Sequence, residues 1–299
     1  MSAQVTTSDP TGVGGAPAWF TTALEHAPEH HVTRVEGRRV AYRSWGEVGL
    51  PAVVLVHGGA AHAGWWDHVG PYLADTRRVV AIDLSGHGDS DHAAGYTLER
   101  WADEVVAVAE LQDSAVPPAL VGHSMGGFVT LTAARDHGSV LGGAVAIDSP
   151  VREMSVEART WLESNPSLPP HKVHPDRAAV LARFRTLPED DVTLEFVRDH
   201  IAGQSVREVE GGWSWKFDPA IFLSSRMEPE ALAAASCRVA LVRGERGMAT
   251  VDITETVASV LGGHVPVTLV PDSGHHVMLD QPLALIAALQ ALLGEWSRP

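Results

Sequence analysis

The chain has 299 residues, 45% of them hydrophobic and 20% charged, with 22 Lys and Arg against 37 Asp and Glu for a net charge of −15. This is the make-up of an ordinary globular protein, long enough for one large α/β domain with an insertion, and it excludes a disordered or low-complexity chain. The acidic balance argues against a nucleic-acid partner, which needs a cationic footprint, and the single cysteine, Cys237, cannot form an intramolecular disulfide.

No Lys or Arg precedes Arg34, and the first 17 residues are rich in Ser, Thr, Gly and Pro without an apolar run, so neither a signal peptide nor an Arg-rich transit peptide is expected. No apolar stretch approaches the length of a membrane span. The expectation is a cytoplasmic protein with no membrane partner, beginning with a partly disordered arm over residues 1–31. Homo-oligomerisation is left open.

From residue 32 onward short β-rich runs alternate with helical patterns, which predicts βαβ units and a mostly parallel sheet. Residues 32–45 read as a hairpin turning at "EGRR". Four apolar runs follow, "AVVLVHGG" from 52, "RVVAIDLSGHG" from 78, "ALVGHS" from 119 and "GGAVAIDSP" from 142, each ending in Gly, Asp, His or Ser. In open α/β sheets ligands bind at the carboxyl ends of the strands, so these endings are where chemistry is expected. Between residues 151 and 235 amphipathic stretches such as "EARTWLES" and "DRAAVLARFRTL" succeed one another with prolines between them and no buried strand, predicting an inserted helical cap. Strand patterns return at "CRVALVRGE" from 237 and "VPVTLVPDSGHH" from 265, before a closing helix over 282–296. The core is therefore expected over 32–150 and 236–299.

Three stretches carry candidate chemistry. Gly122-His123-Ser124-Met125-Gly126 lies between a predicted strand and a predicted helix, where a G-x-S-x-G turn lifts a serine hydroxyl clear of the sheet. The following helix start supplies free N–H groups and partial positive charge for a developing oxyanion. On the residues alone, Ser124 could equally cap a glycine-rich turn. In "VLVHGG" the glycine pair lets the backbone approach a ligand, so Gly59 N–H could join that of Met125 as a two-donor oxyanion hole, with His57 bonding the loop. In "PDSGHH" a strand end presents His275, and a serine nucleophile needs a base with a pKa near neutrality. With 16 histidines in the chain, position rather than residue type singles it out.

"HGG" at 57–59, "DLSGHGDSD" at 83–91, "GHSMGG" at 122–127 and "SGHHVMLDQP" at 273–282, in this order, resemble the α/β-hydrolase superfamily from about residue 32 to 296. The resemblance implies an α/β-hydrolase fold, a mostly parallel eight-stranded sheet with helices on both faces and a helical cap. It also implies Ser124 as nucleophile, His275 as base, His276 as its structural neighbour, and Gly59 and Met125 as oxyanion donors. The third member departs from the common pattern: the usual acid position after "VALVRG" holds Gly247, followed by Met248. Asp148, at the end of the strand after the nucleophile helix, occupies an alternative place that certain haloalkane dehalogenases are similar in using. It is the favoured acid, with Glu245 and then Asp252 in reserve. Asp83 and His87 are expected to order their loop.

A serine at the turn disfavours the epoxide hydrolases and haloalkane dehalogenases of the superfamily, which attack with Asp. The three tyrosines, Tyr42, Tyr72 and Tyr96, all precede the cap, so none there could polarise an epoxide. Among the cap aromatics, Trp161, Trp213, Trp215 and Phe217 are the candidate substrate wall, and "EGGWSWKF" is the candidate edge of a mobile lid. The reading is a serine hydrolase cleaving a carboxylic ester or lactone of a small apolar molecule through an acyl-enzyme, needing no cofactor and no metal. A carbon–carbon bond hydrolase, a cofactor-free perhydrolase, a hydroxynitrile lyase and a non-catalytic ligand receptor remain as alternatives on the same fold.

Overall fold

The computed structural model describes residues 15–224 and 227–297. In chain order the first part comprises α1 (Ala18–Glu25), β1 (Glu29–Val35), β2 (Arg38–Trp45), β3 (Ala52–Val56), α2 (Gly70–Leu73), β4 (Arg78–Ile82), α3 (Leu98–Glu110), β5 (Ala119–His123), α4 (Met125–Asp136) and β6 (Gly143–Ile147). An insertion then holds α5 (Val156–Ser164), α6 (Arg177–Leu181), α7 (Glu195–Gln204), β7 (Val206–Val209) and β8 (Gly212–Trp215). The core resumes with β9 (Val239–Gly244), α8 (Val251–Val260), β10 (Val267–Val270), α9 (Val277–Asp280) and α10 (Pro282–Trp296).

Eight strands make one sheet in the order β1-β2-β4-β3-β5-β6-β9-β10. The pairs β1–β2 and β2–β4 are antiparallel, and every pairing from β4 to β10 is parallel. Strands β3 to β6 are buried at every position, because a parallel sheet is covered by helices on both faces. The pleat divides their side chains between two cores. Val54 and Val56 of β3 face Trp101 of α3 and Leu131 of α4, whereas Val53 and Leu55 face Phe20 of α1 and Leu285 and Leu289 of α10. Each such fully buried side chain contributes about 2 kcal/mol. Helix starts follow local chemistry: Thr97 Oγ1 accepts from Arg100 N–H at 3.2 Å to cap α3, and Pro282 opens α10, where its missing N–H costs nothing. No helix of the described residues is long and apolar enough to cross a membrane.

Two expectations need correction. Residues 1–14 of the expected arm lie outside the described residues, but the rest of it is folded. Phe20 and Ala23 of α1 are buried, with the Phe20 ring 5.0 Å from that of Phe196 on α7, and β1 begins at Glu29 rather than residue 32. The cap is likewise not all helical. "EGGWSWKF" forms the second strand of the β7–β8 hairpin, turning at Glu210-Gly211 with Gly211 at φ 83°. It touches the core at three points: Lys216 pairs with Asp89 at 2.8 Å, Asp218 N–H donates to the Gly86 carbonyl at 2.8 Å, and Tyr96 OH donates to Asp218 at 2.7 Å. A second attachment holds α7, where Asp67 accepts from Arg43 at 2.6 Å, from Gln204 at 2.8 Å and from His200 at 3.0 Å.

Candidate active site

Three loops at the carboxyl ends of β5, β6 and β10 meet at one point. Ser124 follows β5 with φ 53° and ψ −117°, a conformation L-residues rarely adopt, and it is held there by its N–H donating to the Ile147 carbonyl at 2.9 Å. The glycines around it are required by space. A Cβ on Gly126 would stand 2.5 Å from the carbonyl oxygens of Val56 and His57, and one on Gly122 would run into the Gly126 carbonyl. The sharp turn therefore presses α4 against the end of β3 and raises the hydroxyl above the sheet.

Ser124 Oγ lies 2.9 Å from His275 Nε2, and His275 Nδ1 lies 2.6 Å from Asp148 Oδ2. A carboxylate only accepts, so Nδ1 carries the proton, Nε2 presents its lone pair, and the Ser124 hydroxyl donates to it. Asp148 is fully buried and has φ 45°. It also accepts from the N–H groups of Met248 at 2.7 Å, Gly244 at 3.2 Å and Ala249 at 3.3 Å. Three backbone donors and one imidazole thus saturate the carboxylate and fix its direction. The reserve acids stand elsewhere: exposed Glu245 accepts from Asp272 N–H at 3.0 Å, and Asp252 accepts from Thr250 on the surface of α8.

Gly59 and Met125 both line the cavity beside Ser124. Met125, as the first residue of α4, has no carbonyl one turn back to bond, and the Gly59 N–H has no backbone acceptor among the described residues. Two residues with N–H groups free of backbone acceptors among the described residues thus share the cavity with Ser124. His57 ties the loop, donating from Nδ1 to the Gly58 carbonyl at 2.8 Å and accepting the Leu84 N–H at 3.2 Å. Asp83 orders its own loop, accepting from Ala63 N–H at 2.7 Å and Asp89 N–H at 3.0 Å, and buried His87 bridges backbone to backbone with Phe217.

Two further imidazoles pack against His275. His123 donates from Nε2 to the His275 carbonyl at 2.9 Å, and burial together with the neighbouring His275 pushes its pKa well below the usual histidine value. The His276 ring lies 4.8 Å from that of His275 and 5.4 Å from that of Trp65, and burial holds its pKa at about 3. Among the described residues neither ring nitrogen of His276 has a hydrogen-bond partner, whereas His275 is joined to both Asp148 and Ser124. The three histidines hold ring nitrogens within 4.8 Å of one another, but His275 commits both of its own to Asp148 and Ser124.

The cavity above Ser124 has a volume of about 500 Å³. Trp215 and Phe217 line it, as expected, and with them Trp65, Phe128, Phe184 and Phe222. Trp161 and Trp213 do not. Trp161 lies on α5, which buries none of its residues, and is 45% exposed. Trp213 shares a strand face with Trp215 but sits roughly 7 Å nearer the hairpin turn, bridged to His174. Arg183 and Arg185 also line the cavity, because α6 stops at Leu181 instead of running through residue 187 as the amphipathic pattern predicts.

Comparison with known proteins agrees with this architecture. A sequence model of the alpha/beta hydrolase family matches residues 53–289. An esterase of Mycobacterium tuberculosis is 26% identical over 90% of this chain and 91% of its own. A pimeloyl-[acyl-carrier protein] methyl ester esterase of Methylococcus capsulatus is 45% identical over 85 residues, 28% of this chain, which spans about a third (32%) of that protein's length. Among solved structures, the thioesterase domain from the curacin biosynthetic pathway superposes with a TM-score of 0.75 at 23% identity, covering 88% of this chain and 99% of that one.

Proposed function

Since the chain belongs to the alpha/beta hydrolase family, we propose that it is a serine hydrolase acting on a carboxylic ester, with Ser124, His275 and Asp148 as its triad. The observation that carries this reading is the continuous relay from Ser124 Oγ to His275 Nε2 at 2.9 Å and from Nδ1 to Asp148 at 2.6 Å, opening onto a cavity. Ser124 Oγ attacks the ester carbonyl while His275 Nε2 takes its proton. The tetrahedral oxyanion falls to the N–H groups of Gly59 and Met125, whose donation strengthens as charge develops. His275 then returns the proton to the leaving alcohol, and a water activated by the same nitrogen cleaves the acyl-enzyme. Asp148 keeps the imidazole in the Nδ1–H tautomer and stabilises the imidazolium between the two transfers. The mostly apolar cavity accepts an acyl or alcohol group of modest size against Trp65, Phe128 and Trp215.

Replacing Ser124 by Ala tests the proposal. The variant is expected to keep its fold and to lose turnover of p-nitrophenyl butyrate by at least about 10³-fold. A folded Ser124→Ala protein with undiminished turnover overturns it.

A further inference from the structure

The aromatic lining does not account for the charge on the cavity wall. Arg183 and Arg185 both line it, and among the described residues no Asp or Glu does. In a chain with a net charge of −15, the cavity wall carries the opposite sign to the molecule. Arg185 spends Nη1 on the Phe184 carbonyl at 2.6 Å and pairs through Nε with Glu189 at 3.3 Å, but the two side chains of that pair are 60% and 65% exposed, and an ion pair so hydrated is weak and readily exchanged for another partner. Arg183 takes part in none of the ion pairs found among the described residues. It spends one N–H on the Ala179 carbonyl at 2.8 Å, which finishes the short helix α6. Helix capping accounts for one of five guanidinium donors, and a lysine would serve it equally. The planar fork that remains suits a carboxylate or phosphate, to which it can donate two parallel hydrogen bonds. Buried Thr186, next in the chain after Arg185, lines the same wall.

Building on the esterase reading, we infer that the site selects esters bearing one anionic group, a carboxylate or a phosphate, held by Arg183 and Arg185 while the apolar body lies against the aromatic wall. The cap segment 183–187 is then a specificity element, and the substrate is amphiphilic rather than wholly apolar. Long-range repulsion from the acidic surface is screened beyond about 8 Å at physiological salt, so it does not bar an anion from the cavity.

Binding to Ser124→Ala protein separates this inference from the esterase reading, because it needs no turnover. Isothermal titration compares two matched pairs: monomethyl against dimethyl adipate, and the butyrate ester of 3-hydroxypropyl phosphate against propyl butyrate. The expected result is at least about tenfold tighter binding of the anionic member in one pair or both, and the pair that responds tells carboxylate from phosphate. In Arg183→Gln that ratio falls toward one, and Arg183→Lys restores part of it. Reading a ratio cancels any general loss from a disturbed cap. Neutral esters binding as well as or better than both anionic ones overturns the inference, as does a tenfold ratio that survives loss of both arginines. The esterase reading stands or falls separately, on Ser124-dependent turnover of neutral p-nitrophenyl butyrate by the unmodified protein.

Discussion

Gly247 and Asp148 compete for one volume: any side chain at Gly247 would collide with both carboxylate oxygens of Asp148. The loop after β9 turns the N–H groups of Met248 and Ala249 toward the Asp148 carboxylate arriving from the end of β6. Gly247, at the place where the family pattern has its acid, leaves the space that the Asp148 carboxylate fills.

Exchange of the two residues is therefore predicted to be partly self-correcting. Asp148→Asn, which keeps the shape and tolerates the positive φ, is expected to lower kcat by about 10³–10⁴-fold while preserving the fold. Asp148→Gly combined with Gly247→Asp is expected to recover at least about tenfold over Asp148→Gly alone, since the new carboxylate reaches the same volume from the other loop. Steady-state kinetics on p-nitrophenyl butyrate decides it. A double variant no better than the single one would show that the two loops cannot substitute for each other.

Gly126→Ala is predicted to destabilise the protein by about 3 kcal/mol, because the added methyl meets two carbonyl oxygens of β3 and its loop that cannot retreat. Gly95→Ala, in open space, serves as the control and is expected to change stability by less than about 0.5 kcal/mol. Urea unfolding curves for the two variants should separate clearly. Similar midpoints would mean that the turn relaxes more easily than its packing implies.

Acid sensitivity is expected to begin near neutrality. Burial holds His62 and His276 at about 3 and His68 at about 4, below the 6.5 of a free histidine. Below pH 6.5 the unfolded chain takes up protons that these folded rings refuse, so their stabilisation is complete above that pH and falls as pH drops toward 4 and then 3. Each ring adds a slope of about 1.4 kcal/mol per pH unit in that window. Calorimetric melts from pH 8 to 5 should show Tm falling from about pH 6.5 downward, with a shallower fall in His276→Gln. A flat Tm across that range would contradict neutral buried rings.

Asp67 acts at lower pH. Burial alone would raise its pKa, but the hydrogen bonds and charges of His200, Arg43 and Gln204 outweigh it and bring the carboxyl to about 2. The depressed value means that its stabilisation, about 2 kcal/mol, is present above pH 3.8 and disappears as pH falls to 2. At neutral pH, Asp67→Asn leaves Arg43, which is 8% exposed, without its counter-charge and is predicted to cost about 3 kcal/mol. Urea unfolding monitored by tryptophan fluorescence measures it, and a loss below about 1 kcal/mol would show that water replaces the carboxylate.

Residues with local signatures were legible from sequence. Ser124, Gly59, Met125 and His275 sit in short motifs that the fold brings to one cavity, and Asp148, favoured because Gly247 holds the usual acid place, stands within hydrogen-bond reach of His275. The cavity wall was legible only in part, since it depends on where elements stop. The pattern across 176–187 is amphipathic throughout, yet α6 ends at Leu181, and that early stop turns Arg183 and Arg185 from helix surface into cavity wall. Trp213 and Trp215 alternate identically, and only the position of the hairpin turn separates them. Register and element ends are set by contacts with distant parts of the chain, for which single-sequence periodicity carries no signal.

The strand order has a consequence for how activity is lost. Ser124 hangs from β5, which is paired on both sides, whereas His275 hangs from the loop after β10, the last strand of the sheet, with Val267 and Leu269 each 43% exposed. Fraying of a border strand needs far less energy than opening of a central one, and amide exchange in such borders is correspondingly faster. The Ser124–His275 contact is thus tied to a border strand of the sheet, so on warming the proposed base is expected to depart while the proposed nucleophile still stands in an intact core.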